Sequence, residues 1–105
     1  MARVRQAGVF GSEASTGGRR TRIDLMALIL HAAVGGAGKT ALMHTACLDT
    51  RGINRTLSIL VATGLLQREV GDGGRAKYRT TGKGLLFLRY YRGLHRLIHE
   101  KTAPP

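Results

Sequence analysis

The stretch DTRGINRTLSILVATG, residues 49–64, constrains the fold of this chain more than any other, because it carries its own start, period and stop. Asp49 stands where its carboxylate can accept from the unbonded amides of a first helical turn. Gly64 stands where a helix end favours a residue able to adopt positive φ. The pattern predicts a helix over residues 50–63. At 100° per residue, Ile53, Leu57, Leu60 and Val61 gather within about a quarter turn, while Arg51, Asn54, Arg55, Ser58 and Ala62 gather on the other side. The first set is core. The second joins cations, an amide and small residues on one exposed face. Arginine forks onto guanine and asparagine onto adenine in a major groove, so such a face suits base-edge contact. A solvated helix face has the same composition, and both readings stay open at this level.

A shorter helix is expected just upstream, from Lys39 or Thr40 to Ala46, with Ala41, Leu42 and Thr45 on repeating turns and a tight turn over residues 46–49. Helix, turn and helix form a DNA-reading element. Lys39 and Thr40 open the first of these helices, where they can touch a phosphate backbone. They also close the string GGAGKT, which invites comparison with a phosphate-binding loop whose first glycine would fall on Ala33. Such a loop follows a β-strand, whereas the stretch before this one reads as a helix, and no parallel sheet can be built from the remaining residues. A glycine-rich connection is the simpler account. The preceding stretch RIDLMALILHAAV, residues 22–34, is apolar almost all the way round, with Asp24 and His31 on one narrow polar line. It must be covered on several sides. His31 is expected to be partly buried and satisfied rather than a ligand.

The chain of 105 residues suffices for one core. Its 17 Lys+Arg against 6 Asp+Glu give a formal net charge of +11, a field that attracts polyanions, nucleic acid before an anionic membrane surface. No basic helix with bulky apolar residues supports a membrane anchor, and the longest apolar run, residues 25–30, is far short of a span. The single Cys47 allows no intrachain disulfide. A soluble, cytoplasmic, nucleoid-associated protein is the expectation. Residues 1–21 carry four glycines, the arginines Arg3, Arg5, Arg19 and Arg20, and few sizeable apolar groups. They read as a flexible basic arm that can follow phosphates or enter a minor groove, or as an untidy terminus.

Downstream, LLQREV and AKYRT flank the turn residues GDGGR and predict a β-hairpin decorated by Arg68, Arg75, Lys77 and Arg79. A basic hairpin directly after a reading helix is placed to straddle a phosphate backbone. The last stretch predicts a helix over residues 82–101, in which Gly84 and Gly93 each cost roughly 1 kcal/mol relative to alanine. Leu86, Phe87, Leu88, Tyr90, Tyr91, Leu94, Leu97 and Ile98 spread over about 200° of it, opposite Arg89, Arg92, Arg96 and Glu100. That face is too wide for one small core. A two-fold partner helix is expected to cover Phe87, Tyr90, Tyr91, Leu94, Leu97 and Ile98. The pairs His44/Cys47 and His95/His99 have spacings that allow a metal ion, but neither has the further ligands a zinc site needs. No metal and no cofactor is expected.

LDTRGINRTLSILVATGLL and KYRTTGKGLLFL together resemble the small archaeal winged helix-turn-helix regulators, over residues 22–98. The first string is similar to that family's leucine-paced recognition helix ending in Gly-Leu. The second is similar to its wing strand and the Thr-x-Lys/Arg-Gly lead into the last helix. The resemblance implies a mainly α fold with a small β-hairpin, a winged helix-turn-helix over residues 22–81 and a C-terminal dimerisation helix over 82–101, often an antiparallel coiled coil. It places Thr50, Arg51, Asn54, Arg55 and Ser58 in a major groove and Arg75, Lys77 and Arg79 on the backbone. Gly52 departs from the pattern: long polar residues are usual there, and glycine is expected to loosen the first turn and its cap. The function implied is double-stranded DNA binding by a homodimer, as a transcription regulator or a chromatin-shaping protein, without enzyme activity. A basic RNA or ribosome-associated protein and a nucleotide binder at residues 33–40 are the alternatives.

Overall fold

The computed structural model describes residues 21–99. The basic arm, Thr21 apart, and the expected helix end at Lys101 lie outside the described residues. Four helices and three strands follow in the order α1 (Arg22–Ala32), β1 (Ala37–Gly38), α2 (Lys39–Ala46), α3 (Thr50–Ala62), β2 (Leu66–Val70), β3 (Ala76–Thr80) and α4 (Gly82–His99).

Thr21 and Asp24 start α1 with a reciprocal capping box: Asp24 N donates to Thr21 Oγ1 at 3.0 Å and Thr21 N to Asp24 Oδ2 at 3.3 Å. The helix stops at Ala32, two residues before the expected end, and buries Ala27, Ile29 and Leu30. Its cover is incomplete, with Ile23 and Val34 exposed. His31 is exposed too, which corrects the partly buried position expected for it.

In α2 the inward residues are Leu42 and Ala46, while Ala41 and Thr45 face solvent. Of the residues expected on repeating turns, Leu42 is the one turned inward. The helix closes with Cys47 at φ 55°, Cys47 N donating to His44 O and Leu48 N to Met43 O at 3.0 Å. This is the double hydrogen bond of a helix end that glycine usually makes, and a side chain in that conformation costs about 1–2 kcal/mol. The cysteine is thus a turn residue.

Ile53, Leu57 and Leu60 bury one side of α3. Val61, grouped with them by its angle on the wheel, is exposed. Gly64 adopts φ 81°, and Leu65 N reaches Leu60 O at 2.9 Å while Gly64 N reaches Val61 O at 3.0 Å. The helix therefore ends as its sequence predicts.

The expected hairpin forms, with Leu66 opposite Thr80 and Val70 opposite Ala76. Its tip turns through Gly73 and Gly74, both at positive φ. It is not a hairpin only: β1 pairs antiparallel with β3, Ala37 opposite Tyr78 and Gly38 opposite Lys77, giving a three-stranded sheet in the order β1-β3-β2. A two-residue strand is too short to show a period of two, so GGAGKT read only as a connection. A helix, α1, precedes it, not the β-strand that a phosphate-binding loop requires.

The largest fully buried side chains are Ile29, Leu30, Leu42, Ile53 and Leu60. Each contributes roughly 1.5–3 kcal/mol of transfer free energy. They hold α1, α2 and α3 together under the sheet, while α4 adds only Gly84 and Leu88 to the buried set.

Candidate nucleic-acid interface

The outer side of α3 is fixed from both ends. Asp49 Oδ1 accepts from Gly52 N at 2.7 Å, so the cap forms despite the glycine. The expectation of a loosened first turn is corrected by the packing there. A Cβ on Gly52 would stand 3.1 Å from Asp49 Oδ1 and 3.3 Å from Leu48 Cδ2, so the small residue makes room for the cap. Between cap and stop, Thr50, Arg51, Asn54, Arg55 and Ser58 are all exposed, Thr50 at the helix start and the other four turned away from the buried Ile53, Leu57 and Leu60. Lys39 and Thr40 are exposed at the start of α2. The fold brings Lys39 to the outer side of α3, where its Nζ donates to Asn54 Oδ1 at 3.0 Å. Arg55 also lines, with Arg22, a groove of about 200 Å³ floored by Leu25, Met26, Leu48 and Ile59.

The wing does not gather its four cations on one side. Lys77 and Arg79 share the outer face of β3, since the alternate residues Tyr78 and Thr80 are buried. Arg68 pairs with Tyr78 and so belongs to the opposite face, though it is exposed. Arg75 is exposed where the turn enters β3. Arg79 is engaged: its Nε lies 3.4 Å from Glu69 Oε2, and its guanidinium lies over Gly36. With both side chains about two-fifths exposed, this ion pair is worth little, but it positions the arginine.

Sequence reasoning missed the residues that tie β3 to α1 and α4 to the end of α3, and the string TTGKG supplies them. Thr80 Oγ1 donates to Leu30 O at 2.6 Å in the core. Thr81 Oγ1 donates to Gly64 O at 2.6 Å and accepts from Gly84 N at 3.1 Å, which caps α4. Lys83 Nζ donates to Thr63 O at 2.7 Å, a cation on the carbonyl end of α3. A lysine two residues after paired threonines is the signal that could have shown this.

Of the six residues assigned to a partner helix, Phe87 and Tyr91 pack against their own core. Tyr91 O–H donates to Asp24 Oδ1. Burial pushes the Asp24 carboxyl up, but hydrogen bonds from Tyr91 and Thr21 and the neighbouring His95 outweigh it and hold the group below its ordinary value. Burial, then Asp24 itself, pushes the Tyr91 phenol up to about 12. Tyr90, Leu94, Leu97 and Ile98 are exposed, and Leu94 and Ile98 line a shallow pocket with Ile23 of α1. Among the described residues no group of three or more His, Cys, Asp or Glu side chains could hold a metal ion. No helix there is long and apolar enough to cross a membrane.

Three helices, a three-stranded sheet with an extended β2–β3 wing and a long last helix define a fold that the sequence profile of the winged helix-turn-helix family matches over residues 19–99. The chain belongs to the winged helix-turn-helix family. Among solved structures, this winged helix is similar to Sso10a-2, a DNA-binding protein from Sulfolobus solfataricus, with TM-score 0.67 and 23% identity over 74% of this chain and 81% of that one. A MarR-family transcriptional regulator from Silicibacter pomeroyi gives TM-score 0.58 and 26% identity, covering 80% of this chain and 60% of that one. A probable transcriptional regulator from Pseudomonas aeruginosa gives 0.59 and 22%, over 78% and 65%. No match was found among curated protein sequences.

Proposed function

We propose that this winged helix binds double-stranded DNA as a homodimer and acts in transcription regulation or chromatin shaping, with α3 in the major groove and the wing on the phosphate backbone. The observation that carries the reading is the α3 surface: a helix capped at Asp49, stopped at Gly64 and backed by buried leucines presents Arg51, Asn54, Arg55 and Ser58 outward, joined by Lys39. The formal charge of +11 supplies the long-range attraction. Regulators and a DNA-binding protein among the similar structures support the same reading. It requires no catalytic chemistry and places the protein with the DNA, in the cytoplasm.

Binding to random duplex should weaken steeply with salt. For roughly six neutralised phosphates, log K against log salt has a slope near −5. A slope near zero, or no duplex binding at low salt, removes the proposal. Parallel titrations with duplex RNA and ATP test the alternatives: tighter RNA binding favours a ribosome-associated role, and ATP binding that depends on Lys39 restores the nucleotide site.

Single substitutions separate reading from anchoring. Arg51→Ala or Asn54→Ala should cost about 1–3 kcal/mol at a preferred site and flatten sequence preference. Arg75→Ala or Lys77→Ala should weaken all sequences alike. Uniform effects from all four, measured by binding to selected and scrambled duplexes, would favour chromatin shaping over site-specific regulation.

A further inference from the structure

The GGAGKT string carries, as its fifth residue, a lysine whose position the fold does not by itself require. Lys39 is exposed, yet its ammonium lies 3.0 Å from Asn54 Oδ1, a residue 15 positions away on the reading face. An ammonium has donors only, so the amide atom that meets it is the oxygen, and Asn54 Nδ2 is turned to the other side.

This contact changes what the asparagine can read. On its own, Asn54 offers an acceptor and a donor side by side, the complement of the adenine N6 amino group and N7. With Lys39 in place, one lone pair of Oδ1 is occupied, and a positive charge stands beside the point where the N6 amino group would donate. The second lone pair of Oδ1 sits beside that charge, which disfavours an approaching amino group, so the groups the pair can use outward are the remaining Nζ hydrogens and the Nδ2 hydrogens, all of them donors. Their complement is guanine, which presents two acceptors, O6 and N7. Together the two side chains offer what one arginine fork offers. The acid nearest in sequence to α3, Asp49, is engaged by Gly52 N, and the ion pair found among the described residues, Arg79 with Glu69, does not involve Lys39.

We propose that Lys39 is a specificity-determining residue that converts Asn54 from an adenine reader into half of a guanine-reading donor pair. The inference rests on α3 being the groove-reading helix.

Selection from randomised duplexes with the full chain tests it, using wild type, Asn54→Ala, Lys39→Met and Lys39→Arg. The position that loses its preference in Asn54→Ala defines the base read by the pair. There, wild type should favour guanine over adenine by about tenfold. Lys39→Met should move the preference to adenine, and Lys39→Arg, still a donor, should keep guanine. Thermal unfolding of Lys39→Met should match wild type, since the side chain is exposed. Adenine favoured by wild type overturns the inference. So does a Lys39→Met chain that weakens every sequence equally and keeps its guanine, because Lys39 would then be a phosphate anchor. Wild type that binds duplex with no preference at any position also overturns it while leaving general DNA binding intact. Absence of duplex binding by wild type defeats the underlying reading as well, and is seen before any base is scored.

Discussion

Glutamate at both Leu94 and Ile98 is expected to give a folded monomer that binds duplex DNA about 100-fold or more weakly than wild type. The expectation starts from the cover that α4 lacks. Only Gly84 and Leu88 of its 18 residues are buried, both in the first half. From Arg89 to His99, only Tyr91 and Gly93 are partly covered, while Tyr90, Leu94, Leu97 and Ile98 are 51–72% exposed. Isolated helical segments of this length are marginal in water, so a projecting helix with apolar side chains needs a partner to hold it. In the proposed homodimer, a second copy related by a two-fold axis would supply the same face in return.

Charge in that seam would be desolvated without a counter-ion and would break it. Because both side chains are exposed in the single chain, the core under α1, α2 and α3 should survive, and unfolding should stay cooperative. DNA affinity falls by more than two added acids explain, because two reading helices held on one duplex act at a high effective concentration. Light scattering at micromolar concentration decides the matter. Wild type that is monomeric, or a double variant that remains dimeric, would leave α4 as cover for its own domain.

The parts of this fold that follow from local chemistry were legible from the residues. Asp49 and Gly64 bracket α3 as their hydrogen-bonding and backbone preferences require, and the wing follows from two strands around Gly73 and Gly74. What was hidden depends on contacts between distant segments. The strand Ala37–Gly38 exists because Tyr78 and Lys77 lie beside it, and two residues carry no period. Val61 was misplaced because a helical wheel gives an angle and not the identity of the neighbour. Cys47 takes a left-handed conformation that its side chain gave no reason to expect. The reading face was legible as a set of exposed residues, but the link from Lys39 to Asn54 spans two helices and was not. The three hydroxyl and ammonium contacts of Thr80, Thr81 and Lys83 were invisible for the same reason.

The two interior glycines of α4 show how far propensity alone misleads, and they carry the largest stability effect expected of a single methyl group here. By propensity, alanine at either position should stabilise the helix by roughly 1 kcal/mol. At Gly93 nothing lies within 4 Å of an added Cβ, so that gain should be realised. At Gly84 an added Cβ would stand 2.4 Å from Leu65 O and 2.5 Å from Thr80 Cγ2. Neither neighbour can yield cheaply. Leu65 O already accepts from Thr81 N at 3.1 Å, and Thr80 is tied through its hydroxyl to Leu30 O. Relief would require α4 to move away from the end of α3, which would stretch the Gly84 N to Thr81 Oγ1 bond and the Lys83 contact to Thr63 O. Overpacking of this kind costs about 1–3 kcal/mol and more where backbone is in the way, so a net loss of about 3 kcal/mol is expected for Gly84→Ala. For a domain of this size that lowers the melting temperature by about 10–20 °C, whereas Gly93→Ala should raise it by a few degrees. Thermal unfolding of the two variants beside wild type tests the contrast directly. A Gly84→Ala chain as stable as wild type would mean that α4 does not approach Leu65 this closely, and the locking role of Thr81 and Lys83 would fall with it.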